Sequence, residues 1–385
     1  MSFRRVVFWS HLVVGVAAGL VVLMMSVTGV LLTYELQIAR WAATPVLPAS
    51  QSTAPLGADR LAALALAETG GRATALRYTN DPATPVEATW GRSDGIFLDP
   101  ASGAVLAEGG ARTEAFFGSV MQLHRWLVPL FGRETGAAVT GAANLGFLFL
   151  LVSGIYLWWP KSWKWRIVRN NMLFRRSLPN AKARDFNWHH VFGFWALAPL
   201  FLIVLSGVVI SYPWASRLVF AAYGEAAPAG HGRPGGPQGD GVQSLTLAEN
   251  GVGLQYVFDA AAAHTPDWNR ISLALPTGGS ESVDVTVDTG TGRQPTRETT
   301  LTYAQSDGSL LKETGIADRS PAMRARMWFR FVHTGEIYGL AGQTIAGLAS
   351  LAAVFMVYTG LALSYRRLIR PLFRKPPTAK RRPAE

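Results

Sequence analysis

The 385-residue chain has no cysteine. That absence excludes disulfides, iron–sulfur clusters, thiolate-ligated haem and covalently attached c-type haem together. Any metal must be held by His, Asp, Glu, Met or an external ligand. Charge is scarce too, at 16% of residues, where a soluble chain usually carries about 25%. Acidic residues are the smaller share, 25 against 36 Lys and Arg, leaving a net charge of +11. With 49% apolar residues beside so little charge, much of the chain is hidden from water.

What the sequence does contain is four uncharged apolar runs, at residues 12–32, 137–159, 191–215 and 337–365. About 20 helical residues cross a hydrocarbon core at 1.5 Å rise each. Every run has 21 or more, so each predicts a membrane span. The first run exceeds the roughly 7–15 apolar residues of a secretory signal and shows no clear cleavage site. It is read as a span that keeps His11.

Lysine and arginine gather at span ends. Residues 160–186 hold eight basic residues and one acid, the segment after Tyr365 holds eight and one, and Arg4 and Arg5 precede the first run. The other two connections lean the opposite way: residues 35–117 carry 6 basic and 9 acidic residues, residues 214–324 carry 8 and 12. The positive-inside rule then predicts cytoplasmic termini, a cytoplasmic basic loop and two acidic outer domains. The positive charge belongs against a lipid bilayer, and a nucleic-acid partner is not expected.

Both outer segments mix helix and strand signals. A helix over 58–69 precedes strands at 86–90 and 95–98; a helix over 255–264 precedes strands at 270–275, 282–287 and 298–303. Each predicts a small α+β module. Residues 224–241, dense in Gly and Pro, predict a flexible loop. The boundaries read as spans at 1–34, 118–160, 187–213 and 326–366, outer domains at 35–117 and 214–325, a basic loop at 161–186 and a basic tail at 367–385.

The first and third spans match each other. His11-Leu12-Val13-Val14-Gly15 aligns with His189-His190-Val191-Phe192-Gly193, and Thr28-Gly29 with Ser206-Gly207. More weakly, Leu123-His124 aligns with Val332-His333 and Ser153-Gly154 with Thr359-Gly360. The chain thus reads as span–domain–span, twice. It places His11 and His189 at one membrane face and His124 and His333 at the other. Two imidazoles per face is what bis-histidine haem ligation requires. Gly15 and Gly193, one turn beyond their histidines, leave room for a flat macrocycle. Gly29 and Gly207 repeat that vacancy 18 residues beyond His11 and His189, about 27 Å along the helix. Arg125, Arg133, Arg326 and Arg330 are placed to pair with haem propionates. His190 is an alternative to His189, while His231 and His264 fall outside the spans and are read as non-ligands.

These residues resemble the PepSY-associated transmembrane helix family. The resemblance rests on His11-xxx-Gly15 with Thr28-Gly29, on Leu123-His124-Arg125 with Gly154 and Trp158, on His189-xxx-Gly193 with Ser206-Gly207, and on His333-Thr334-Gly335-Glu336 with Gly339-Leu340. Residues 99–106 resemble a PepSY-type strand and turn. Within that family the chain is most similar to FoxB-like siderophore reductases of the bacterial inner membrane. The resemblance implies two b-type haems, one near each face, and reduction of a ferric siderophore in the periplasm to release Fe(II). It also implies a separate electron donor, because no flavin domain is fused here. The expected architecture is a four-helix transmembrane bundle with two periplasmic α+β, PepSY-like domains. Glu336, beside His333, is the candidate to tune the outer haem or touch substrate. Two other readings stay open on the residues: a haem conduit to a quinone or another periplasmic redox partner, and a non-enzymatic, membrane-anchored PepSY regulator.

Overall fold

The computed structural model describes residues 2–47, 54–91, 94–160, 162–228, 251–276 and 280–373. Most of the loop expected at 224–241, with His231, lies outside the described residues, as does the tail beyond Phe373. In chain order the first helices are α1 (Phe3–Leu31), α2 (Glu35–Ala43) and α3 (Ala58–Glu68). Strands β1 (Ala75–Thr79), β2 (Val86–Trp90), β3 (Asp94–Leu98) and β4 (Val105–Leu106) follow. Then come α4 (Ala111–Trp126), α5 (Val128–Phe131), α6 (Arg133–Trp158), α7 (Trp165–Met172), α8 (Ala181–Ser211), α9 (Pro213–Ala222) and α10 (Leu254–His264). The chain continues through β5 (Arg270–Ala274), β6 (Ser282–Asp288), β7 (Glu298–Ala304) and β8 (Leu310–Thr314), and ends in α11 (Pro321–Thr334) and α12 (Gly339–Leu368).

These elements form two compact units. One comprises Met1–Thr33, Val120–Tyr212 and the chain from Thr344 on; the other comprises Tyr34–Ser119 and Pro213–Gln343. The first unit is helical. Four helical segments are long and apolar enough to cross a membrane: Phe3–Ala43, Arg133–Trp158, Ala181–Ser211 and Glu336–Leu368. The apolar runs foresee all four. The chain is a membrane protein, and its helical unit shows it on the surface: Val13, Leu20 and Leu348 are each at least 60% exposed, which suits side chains facing lipid. Between helices the contacts are small and tight. Leu151, Ala196, Leu200, Val204, Ala349 and Ala353 form a core joining α6, α8 and α12, and Asn144 donates from Nδ2 to the Val204 carbonyl at 3.0 Å. Small residues let apolar helices approach where lipid removes the hydrophobic drive for them to associate.

The second unit corrects the expectation of two separate modules. All eight strands make one antiparallel sheet in the order β4-β3-β2-β1-β5-β6-β7-β8. The join is β1 against β5, with Leu76 opposite Leu273 and Tyr78 opposite Ile271. Alternation puts Leu76, Val86, Ala88, Ile271, Leu273, Val283, Val285 and Leu301 on one face, where they pack with Leu61, Ala65, Leu254 and Val257 of α3 and α10 as a single core. Each helix also caps the other. Asp59 of α3 accepts from the Leu254 and Gln255 amides at 2.7 and 3.1 Å, and Gln255 Oε1 accepts from the Ala58 amide at 2.7 Å. Both are N-terminal amides without helical partners of their own. The turn at 99–104 is closed by Asp99, which accepts from the Ala101 amide and the Ser102 hydroxyl. The Ala101 hydrogen bond foremost holds its carboxyl below the usual carboxylate range.

One core over two halves predicts a single unfolding event for the sheet. Leu76→Ala should cost about 2–5 kcal/mol. Amides of β2 and β6 should then lose hydrogen-exchange protection together; independent loss in the two halves would show that they are separate modules.

Candidate functional site

The two histidines expected near one face are not on the spanning helices. His124 lies two residues before the end of α4 and His333 one residue before the end of α11, each ahead of a break between helices that precedes a span. At the first break Leu127 adopts φ 48°, and the Trp126 carbonyl comes so close to Gly136 that any Cβ there would overlap it. Thr140 Oγ1 donates to the Arg125 carbonyl at 2.9 Å. At the second break Gly335 takes φ 76°, and its carbonyl lies against Gly342 where no Cβ fits. Glycine in the following helix thus lets the end of the histidine-bearing helix lie directly on it. His124 belongs to the helical unit and His333 to the sheet unit.

Three histidines are held in one manner. His11 Nδ1 is 2.8 Å from Ser153 Oγ of α6, and His124 Nδ1 is 2.8 Å from Thr28 Oγ1 of α1. His189 Nδ1 is 3.0 Å from the Met356 carbonyl and 3.1 Å from Thr359 Oγ1 of α12. A carbonyl only accepts, so His189 Nδ1 carries the proton. Each hydroxyl is already committed: Ser153 donates to the Phe149 carbonyl at 2.7 Å, Thr28 to Met24 at 2.8 Å and Thr359 to Phe355 at 2.7 Å. A hydroxyl that has spent its one proton offers only lone pairs. The hydrogen-bond network therefore assigns the Nδ1–H tautomer to all three, which leaves Nε2 with its lone pair. Beside each ring stands a glycine: an ideal Cβ on Gly154, Gly29 or Gly360 would lie 3.6, 3.7 or 3.3 Å from Cε1 of His11, His124 or His189.

Neutral imidazoles that carry their proton on Nδ1 and their lone pair on Nε2 are the donors that a bis-histidine haem takes. Among the described residues no three His, Asp or Glu side chains cluster to hold a bare metal ion; a haem iron asks the protein for two ligands. The residues present fit the group. His190 is held differently, donating from Nδ1 to its own helix at Phe186 O, 2.8 Å, and leaning on the Phe186 ring.

Other expected residues are placed as follows. Beside Gly15 the nearest atom to an added Cβ is a Leu150 methyl at 3.8 Å, and beside Gly193 a Met356 methyl at 3.6 Å. Gly29 faces the His124 ring and Ser350. The vacancy expected at Gly207 is corrected: the Asn144 amide fills it, 2.9 Å from an ideal Cβ. Arg125 and Arg133 both stack on Trp126, at 4.5 and 4.3 Å from the ring. Arg326 donates from Nε to Ser216 Oγ at 3.0 Å, and Arg330 lies over Phe331. Glu336 is buried, 4% exposed. It accepts from Arg293 at 3.2 Å and from the Thr334 hydroxyl at 2.7 Å, so it locks the turn after His333. His264 is 3.4 Å from Glu313 on the sheet unit.

In the sequence the Ser153-Gly154, Thr28-Gly29 and Thr359-Gly360 pairs stand out as marks of repetition, Gly29 also as room for a macrocycle, and Thr28-Gly29 and Gly154 as marks of family resemblance. Their role as seats for histidines of other helices was missed. The available signal was the polar residue itself, a hydroxyl within an apolar span immediately before a glycine.

Residues 8–367 match the family described as the PepSY-associated TM region, and the chain belongs to that family. No curated protein matches the chain.

The start of α8, which carries His189, is fixed by Asp185. That carboxylate is fully buried between Arg184 at 2.9 Å and Arg366 of α12. Removing one member of a buried ion pair leaves its partner uncompensated. Asp185→Ala should therefore lower the stability of the detergent-solubilised protein by about 3 kcal/mol, read as a fall in thermal midpoint; an unchanged midpoint would show that the pair does not brace α8.

Proposed function

We propose that this member of the PepSY-associated transmembrane family is a bacterial inner-membrane oxidoreductase that reduces a ferric siderophore in the periplasm, using two b-type haems and a separate electron donor. The observation that carries the reading is the set of three half-buried histidines that all carry their proton on Nδ1, bound to an oxygen of another helix, and so keep their lone pair on Nε2. A structural histidine in an apolar bundle has no need of a uniform tautomer. The distribution of Lys and Arg supports cytoplasmic termini and a periplasmic sheet unit.

In this reading His11 and His189 hold one haem and, by the sequence repeat, His124 and His333 hold the other. His189 is favoured over His190 because it is seated on α12 in the same way that His11 is seated on α6. When bound, the group supplies one-electron transfer. The chain supplies position and environment. Ser153, Thr28 and Thr359 orient the imidazoles, the apolar helices exclude water, and Arg125, Arg133, Arg326 and Arg330 offer charge for propionates. The substrate side follows from donor hardness. Hydroxamate and catecholate oxygens hold Fe(III) far better than Fe(II), so one electron loosens the chelate.

The purified protein should show sharp α-bands on reduction, with two haems per chain by pyridine haemochrome. His11→Ala and His189→Ala should remove one and the same haem, His124→Ala and His333→Ala the other. A colourless protein would reject the reading. Dithionite-reduced protein mixed with a ferric siderophore should reoxidise as ferrous iron appears in a colorimetric trap; reoxidation without ferrous iron would point to another acceptor, such as a quinone. A reporter fused after Arg176 should read cytoplasmic and one near Gly236 periplasmic. The reverse pattern would invert the proposed direction of electron flow.

A further inference from the structure

We propose that Ser153, Thr28 and Thr359 are positioning residues that set the donor strength of individual haem ligands, so that each hydroxyl tunes one haem and not the other. The inference rests on the haem reading above and adds to it a division of labour among residues that touch no haem iron.

The geometry is repeated but not uniform. Each hydroxyl is buried, with Ser153 at 5%, Thr28 at 3% and Thr359 at 0% exposure. Each gives its own proton to a carbonyl four residues back on its helix. Each is followed by the glycine against which the ring rests. A hydroxyl placed this way can do only one thing for the imidazole, which is to accept its Nδ1 proton. That hydrogen bond makes Nε2 more basic and so favours the ferric over the ferrous state. Seat and histidine always come from different helices. The α1 helix carries His11, seated on α6, and also carries Thr28, the seat for His124. The two hydroxyls in contact with α1 therefore act on different ligand pairs.

The differences among the seats make the inference specific. Ser153 Oγ accepts from His11 Nδ1, and Thr28 Oγ1 accepts from His124 Nδ1. His189 divides its Nδ1–H between Thr359 and the Met356 carbonyl. Loss of the Thr359 hydroxyl leaves a carbonyl acceptor in place, whereas loss of the Ser153 hydroxyl removes the acceptor described there. A role in packing alone would not rank the sites this way, because Thr359 is the more deeply buried of the two.

The test is a potentiometric titration of the full-length, detergent-solubilised protein, followed at the reduced α-band, with low-spin EPR g-values as a second readout. Ser153→Ala should shift the reduction equilibrium of one haem toward ferrous by up to about tenfold and leave the other unmoved. Thr28→Val should do the converse. Thr359→Val should move the same haem as Ser153→Ala, by less. Ser153→Thr and Thr28→Ser should restore wild-type values, and selective loss of one haem in Ser153→Ala, restored in Ser153→Thr, would support the assignment equally. Unchanged potentials and g-values in Ser153→Ala and Thr28→Val with both haems retained would overturn it while leaving the haem reading intact. Shifts or losses affecting both haems at once would overturn the one-to-one assignment. A wild-type protein without haem would overturn the function and this inference together.

Discussion

An imidazole inside an apolar helical unit has two nitrogens to account for, and the rest of this molecule's chemistry depends on how that is done. Burying an unsatisfied polar group is costly. Here one nitrogen of each of three histidines is satisfied by an oxygen from a neighbouring helix. The other is thereby left with a fixed lone pair. The same contact that satisfies the polar group also holds one helix against the next and aims the ring. Satisfying the polar group and orienting the ring are one interaction.

That arrangement explains the glycines more fully than the room for a macrocycle does. Gly154, Gly29 and Gly360 stand against the imidazoles themselves, so their first service is to let a ring reach a hydroxyl one residue away. Gly136 and Gly342 work at a coarser scale, letting the ends of α4 and α11 settle onto the helices that follow. Glu336 belongs with them, since its buried bonds to Arg293 and Thr334 hold the turn behind His333.

The spans were legible because length and lack of charge are properties of a single segment. Helices α3 and α10 and strands β2, β5, β6 and β7 were legible for the same reason, through local periodicity and turn residues. What could not be read was pairing between distant segments. Ala75–Thr79 is five residues of unremarkable alternation, yet it is the strand that joins both halves into one sheet. Without it two modules seemed to be present. Repetition singled out the histidines but not their seats, because Ser153, Thr28 and Thr359 acquire meaning only when another helix supplies the ring. Asn144 filling the space at Gly207 is a loss of the same kind. The short basic helix α7 also went unread within a loop that was weighed for its charge alone.

The β1–β5 seam has a consequence for how the molecule is made. The ribosome delivers β1 before α6 and α8, and β5 after them. Until β5 arrives, the first four strands present β1 as an uncapped border, open to any extended chain nearby, and α3 lacks the Gln255 side chain that satisfies its first amide. The half-sheet must therefore wait through the insertion of two further hydrophobic helices before its partner exists. Biogenesis of this protein is gated by the last half of its own translation, and a chain arrested between α8 and β5 would be a sticky intermediate rather than a smaller folded protein.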